Sequence, residues 1–192
     1  MPRLREDDVL DDRYAAVIAA ASSGDESAFA EIYRDLHPPL LRYLRTLHWE
    51  LAEDAASEAW LEVARGVAAF DGPEPAFRSW VFAIARRKLI DRIRYESRRP
   101  SASWDDVDDP GPAVRDIAEG VLDDEATVRA LELVRTLPKD QAEAVILRVM
   151  VGLEPAEIGA VMGRTAGAVR VLVHRGLRRL EKDLRSARGE VT

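Results

Sequence analysis

Apolar residues recur along this chain at helical spacing, and no stretch alternates as a strand would. Asp12–Ala21 predicts a short first helix, interrupted by Ser22-Ser23-Gly24. Asp25 can cap the next helix, whose stripe is Phe29, Ile32, Tyr33 and Leu36. Pro38-Pro39 predicts a kink or a restart, after which Leu40, Leu41, Leu44 and Leu47 carry the stripe on. A third helix is predicted over about Ala52–Gly66, with Trp60, Leu61 and Val63 on an apolar side. Its other side carries Glu53, Asp54, Glu58 and Glu62. The Gly/Pro-rich run Phe70–Ala76 predicts a loop, and Phe77–Arg99 a long helix with Trp80, Val81, Ile84, Ala85, Leu89 and Ile93 on its apolar side.

Further helices are predicted at about Asp123–Thr136 and from Pro138 to about Val151. Then comes a short helix opened by Pro155, with Ile158, Val161 and Met162 as its stripe. Gly163-Arg164-Thr165 breaks it: Gly163 suits a left-handed end, and Thr165 suits the cap of the next helix. That last helix has Val169, Leu172, Val173, Gly176, Leu177, Leu180 and Leu184 on one face. Its opposite face collects Gly167, Arg170, Val171, His174, Arg175 and Arg178. A helical hairpin with a solvated basic face would share this periodicity. Capping, turn and charge placement together favour a helix-turn-helix, whose second helix fits the major groove of DNA.

Charge sharpens the picture. The 192-residue chain has a net charge of −7, yet its bases are grouped. Residues 78–99 hold 8 bases against 2 acids, and residues 164–185 hold 7 against 2, so two basic helices stand in an otherwise acidic protein. Between them, residues 100–120 are rich in Asp, Ser, Pro and Gly and read as an acidic linker. The expected architecture is therefore all-α: a helical domain over 1–99, the linker, and a helix-turn-helix domain over 121–192. Arg78, Arg86, Arg87, Arg92 and Arg94 beside Trp80 form a basic-aromatic helix of the kind that holds single-stranded nucleic acid. Trp80 also suits a plain core position.

Other chemistries find little support. Without cysteine there is no disulfide, thiolate nucleophile or cysteine-bound zinc, which fits a cytoplasmic protein. No apolar run is long enough for a membrane span, and the acidic start lacks a signal peptide's apolar core. Phosphate-loop, dinucleotide and hydrolase motifs are missing, so no catalytic residue, metal or cofactor is expected. Asp54 and Glu58, four apart, read as a charged surface before they read as a metal site.

In order and spacing these segments resemble an extracytoplasmic-function sigma factor. The family's D-x-x-Q-[DE] motif is met by Asp54, Ser57 in place of glutamine, and Glu58. Its F-x-x-W-L-x-x-I-A helix is met by Phe77, Trp80, Val81, Ile84 and Ala85, with Asp91 following and Arg87 replacing an asparagine. Leu137-Pro138, Gln141, Leu147 and Arg148 match the start of the C-terminal domain. Ala156-Glu157-Ile158, Gly163, Gly167, Val169 and Arg170 match its helix-turn-helix, with Ala166 and Leu172 departing from it. The resemblance implies that Glu53, Asp54, Ser57, Glu58 and Glu62 bind core RNA polymerase. It implies that Arg78, Trp80, Arg86, Arg87, Arg92 and Arg94, with the loop Asp71–Ala76, open and hold the minus-ten element of promoter DNA. Thr165, Gly167, Arg170, Val171, His174, Arg175 and Arg178 would read the minus-thirty-five element. An anti-sigma protein is the expected regulatory partner. A stand-alone helix-turn-helix regulator, with residues 1–99 as a sensor or dimerisation domain, is the alternative.

Overall fold

The computed structural model describes residues 6–98 and 125–189, with side chains over 14–98 and 130–186. The expected linker at 100–120, and Arg99, lie outside the described residues. Four helices form an N-terminal group: α1 (Glu6–Ser22), α2 (Glu26–Leu47), α3 (Ala52–Gly66) and α4 (Glu74–Ser97). A 3-10 turn, Val67–Ala69, follows α3. The C-terminal group is α5 (Glu125–Arg135), α6 (Lys139–Val149), α7 (Pro155–Met162) and α8 (Ala166–Gly189). Among the described residues there is no strand.

Local chemistry sets most of the boundaries. Asp25 caps α2, its carboxylate accepting from the amides of Ser27 at 2.8 Å and Ala28 at 3.2 Å. Of the kink or restart expected at Pro38-Pro39, the restart does not occur, and α2 runs through both. These prolines have no N–H for the carbonyls of Arg34 and Asp35. However, Ala28, Ile32, Leu36, Leu40, Tyr43 and Leu44 stay in phase on one buried face, and their packing outweighs the lost bonds. α4 begins at Glu74, inside the expected loop. Pro75 stands in its first turn, where a missing N–H breaks no intrahelical bond.

The helix-turn-helix is fixed at three points. Glu154 caps α7 in a reciprocal box, with its own N–H donating to Glu157 Oε2 at 2.6 Å. Gly163 ends α7 at φ +66°, a left-handed conformation. Thr165 Oγ1 then accepts from the amide of Ala168 at 3.2 Å to start α8. Gly159 lets the two helices approach: a Cβ there would lie 2.6 Å from the carbonyl oxygen of Arg164.

α4 is the strut of the molecule. Phe77, Val81, Phe82, Ile84, Ala85 and Leu89 are buried along it, and it packs on α3 at one side and α7 at another. The buried cluster runs without a break from Ile18 in α1 to Val169 in α8. The two helical groups therefore pack directly on each other through α4 and α7, with α2 touching α6.

Candidate nucleic-acid interface

On α8, burial of Val169 and Gly176 turns the opposite face outward. Gly167, Arg170, Val171, His174, Arg175 and Arg178 are all exposed there, as periodicity predicts, and Thr165 sits exposed at the helix start. The apolar face is narrower than expected. Leu177 and Leu184 are 44% and 45% exposed, because α8 is much longer than α6 and α7 that cover its beginning. The result is a basic surface with one apolar residue, Val171, in its midst, raised on a helix whose first turns are locked by the turn below.

Three α4 cations, Arg87, Lys88 and Arg92, are paired with α3 carboxylates. Arg92 lies between two α3 carboxylates, donating from Nε to Glu58 at 2.9 Å and from Nη1 to Asp54 at 2.9 Å. Arg87 pairs with Glu62, and Lys88 reaches the other Glu62 oxygen at 2.9 Å. Those two cations hold the Glu62 carboxyl below its ordinary value. Arg94 makes a loose contact with Asp91 at 3.7 Å and is otherwise solvent-facing. Three expected polymerase residues, Asp54, Glu58 and Glu62, thus pair with two expected minus-ten residues, Arg87 and Arg92, across the α3–α4 seam. Glu53 is held from the other side by Arg45 at 2.8 Å, and Ser57 is exposed. Leu61 is a correction: expected on the apolar side, it is 58% exposed. At three and seven residues after Glu58 and Asp54, it shares their outward face, a spacing legible in the sequence.

Trp80 is half-buried in an aromatic cluster, with ring centroids 5.3 Å from Phe70 and 5.6 Å from Phe77. Phe70 and Phe77 themselves meet edge-on at 5.0 Å. This cluster ties the segment before α4 to the helix. A Cβ on Gly66 would come within 3.0 Å of the Trp80 ring.

Arg78 and Arg86 turn toward the C-terminal helices. Arg86 binds Glu143 of α6 with both ends of its guanidinium, Nε to Oε1 at 2.6 Å and Nη2 to Oε2 at 3.2 Å. Tyr43 donates its hydroxyl to the same Oε1 at 2.7 Å. Burial, then Glu143, pushes the Tyr43 phenol far above its ordinary range, so it stays a donor. The Arg86 guanidinium is pushed up by its bond to Glu143. Arg78 Nη2 donates to the carbonyl oxygen of Val151 at 2.9 Å. Tyr43 and Glu143 carried no role in the sequence reading. Glu143 falls on the turn of α6 that also buries Ala144 and Leu147, which marks it as a carboxylate facing inward.

Among the described residues no three His, Asp or Glu side chains gather as a metal site, and no helix is long and apolar enough to cross a membrane. The carboxylates of Asp54 and Glu58 are shared with Arg92 instead.

Comparison with known proteins agrees with this layout. Residues 32–99 match the family model for Sigma-70 region 2, and residues 127–180 match Sigma-70, region 4. The chain is 30% identical over 182 residues to the ECF RNA polymerase sigma factor SigD of Mycobacterium tuberculosis, covering 92% of this chain and 86% of that protein. Among solved structures it is similar in fold to CnrH in complex with the cytosolic domain of CnrY. That match has a TM-score of 0.64 and 20% identity, covering 90% of this chain and 97% of that one. A second similar fold is the sigma factor RpoE in complex with the anti-sigma factor NepR from Bartonella quintana, with a TM-score of 0.59 and 20% identity over 82% of this chain and 96% of that one.

Proposed function

The chain belongs to the extracytoplasmic-function sigma factors, which direct RNA polymerase in transcription initiation, and from that footing we propose how its surfaces divide the work. The stand-alone regulator is not favoured, because the N-terminal helices match the sigma region rather than a sensor or dimerisation domain. Residues 1–99 bind core polymerase and the minus-ten element, and residues 121–192 read the minus-thirty-five element. The exposed α8 face carries this reading: Arg170, Arg175 and Arg178 surround Val171 and His174, an arrangement for phosphate contact at the edges and base contact within.

Core polymerase takes the outward face of α3, where Glu53, Asp54, Ser57, Glu58 and Glu62 ring the exposed Leu61. An apolar anchor inside a polar rim is the usual anatomy of a protein interface. Arg87, Arg92 and Arg94, with the loop before α4, hold the opened minus-ten strand. Trp80 backs that loop from within the Phe70–Phe77 cluster. The protein acts without catalysis of its own, in the cytoplasm. An anti-sigma protein restrains it, as NepR accompanies the similarly folded RpoE.

Run-off transcription with purified core polymerase on genomic promoter fragments tests the whole reading. Discrete transcripts that depend on the added chain are expected. Their absence from every fragment, with the chain folded and bound to polymerase, would overturn it.

A further inference from the structure

We propose that Val171 recognises the 5-methyl group of a pyrimidine in the major groove, so that the minus-thirty-five element of this chain holds a thymine at one fixed position. This rests on the assignment of α8 to that element and extends it to one side chain and one chemical group. Val171 is 47% exposed, in the second turn of α8. Single exposed apolar residues are common, but the surroundings set this one apart. Arg170 and Arg175 lie to either side of it, about 140° apart at ~100° per residue, with His174 and Arg178 further along the helix. All four are exposed. Unlike Arg87 and Arg92 on α4, Arg170, Arg175 and Arg178 have no carboxylate partner among the described residues. An unpaired cationic rim fits the phosphates that flank a groove, which leaves the apolar residue between them for the base edges.

Valine is short, so it reaches a base edge only where the backbone comes close. Gly167 stands one turn earlier on the same face. A Cβ there would meet nothing nearer than Thr165 Oγ1 at 4.0 Å, so the space before it is open. Register is fixed as well: Val169 is fully buried two residues earlier, and Arg164 in the turn pairs with Asp140 of α6. Branching at Cβ leaves a helical valine one strongly preferred rotamer, so both γ-methyls point in set directions. Val171 has no donor or acceptor to offer. Of the groups that bases present in the major groove, the C5 methyl of thymine is the apolar one. Cytosine methylated at C5 carries the same group at the same place on its ring, and Val171 accepts it equally.

The test uses the chain assembled with core polymerase, on duplexes built from a promoter fragment that the assembly transcribes. Each thymine of the minus-thirty-five element, on either strand, is replaced singly by deoxyuridine, which removes the methyl and keeps the pairing. Affinity should fall about fourfold at one thymine, the equivalent of one buried methyl group. Val171→Ala should bind the unmodified duplex about fourfold more weakly and be indifferent to that replacement, the signature of direct coupling. Val171→Ile should keep the discrimination, and circular dichroism confirms that each variant is folded. With a cytosine–guanine pair at that position, methylation at C5 should recover about fourfold for the wild type and nothing for Val171→Ala. A flat deoxyuridine scan with the wild type overturns the proposal, and so does a methyl effect that survives in Val171→Ala. A flat scan with loss of core-polymerase affinity in Val171→Ala also overturns it and makes the residue a protein contact. Arg170→Ala separates the two claims. If it weakens duplex binding while the scan is flat, α8 still reads DNA and only the role of Val171 falls. If neither Arg170→Ala nor Val171→Ala changes duplex binding, the assignment of α8 falls too.

Discussion

Arg92 and Glu58 share a hydrogen bond at 2.9 Å, joining the helix assigned to DNA to the helix assigned to polymerase. Asp54 holds the same guanidinium, so a partner that claims the carboxylates also releases a cation. Charge reversal at Asp54 and Glu58 should therefore weaken core binding by about tenfold or more, ~1.4 kcal/mol. The fold should survive, because exposed pairs of this kind contribute only about 0–1 kcal/mol. Arg92→Ala should keep polymerase affinity and lose strand opening. Titration of labelled chain with core polymerase, beside permanganate footprinting, reads both; unchanged core affinity in the reversal variant would remove α3 from the interface.

On α8, Arg170→Ala and Arg175→Ala should each depress transcription that depends on the minus-thirty-five element. A phosphate contact should reduce the salt slope by about one and weaken all sequences alike, whereas a base contact should cost about 1–3 kcal/mol at one position. Binding isotherms on duplex promoter at several salt concentrations distinguish them. Wild-type behaviour of both variants would mean that another face reads the DNA.

Gly159→Ala should damage the C-terminal group selectively. The added methyl meets the Arg164 carbonyl, backbone that cannot swing aside, and the loss should be about 1–3 kcal/mol. Denaturant unfolding should register the loss and duplex binding should fall, while core binding through α3 persists. A stability equal to wild type would show that the turn relaxes freely.

His37 makes stability depend on pH. Its Nδ1 accepts from Trp60 Nε1 at 3.1 Å, which needs the neutral ring, and Tyr33 stacks on it at 4.7 Å between centroids. Burial, then Arg45, holds its pKa below the ordinary 6.5. The unfolded chain therefore binds this proton more readily. The stabilisation is complete above pH 6.5 and is lost as pH falls from there through the lower folded-state value. His37→Phe keeps an aromatic ring against Tyr33 and should flatten this part of the profile, even if it lowers the plateau. Thermal melts across that range check it, and an unchanged slope would assign the dependence to other groups.

Most of the helices were legible because their apolar residues repeat cleanly, and the helix-turn-helix because Gly163 and Thr165 are strong punctuation. The exposed basic face of α8 followed from the same arithmetic: Arg170, Val171, His174, Arg175 and Arg178 are exposed because Val169 and Gly176 are buried. Pairing was not legible. Nothing local to Arg86 says that its partner is 57 residues away, or that Arg92 belongs to Asp54 and Glu58. Charge counting also scored these arginines as free cations, although only their tertiary neighbours decide that. Leu61 was misplaced because an apolar residue beside Trp60 reads as core, whereas the 100° step between neighbours swings it onto the acidic face.

The passage of α2 through Pro38-Pro39 bears on how the molecule breathes. A helix continuous in shape is interrupted in its hydrogen-bond ladder at the carbonyls of exposed Arg34 and Asp35. In amide exchange α2 should behave as two protected stretches, one around buried Ile32 and Leu36, the other around buried Leu44 and Tyr43, whose ring meets Phe82 of α4. The second stretch carries the hydroxyl that reaches Glu143. Fraying that starts at the proline pair and travels toward Tyr43 would loosen the seam with α6 while leaving the first half of the helix at rest.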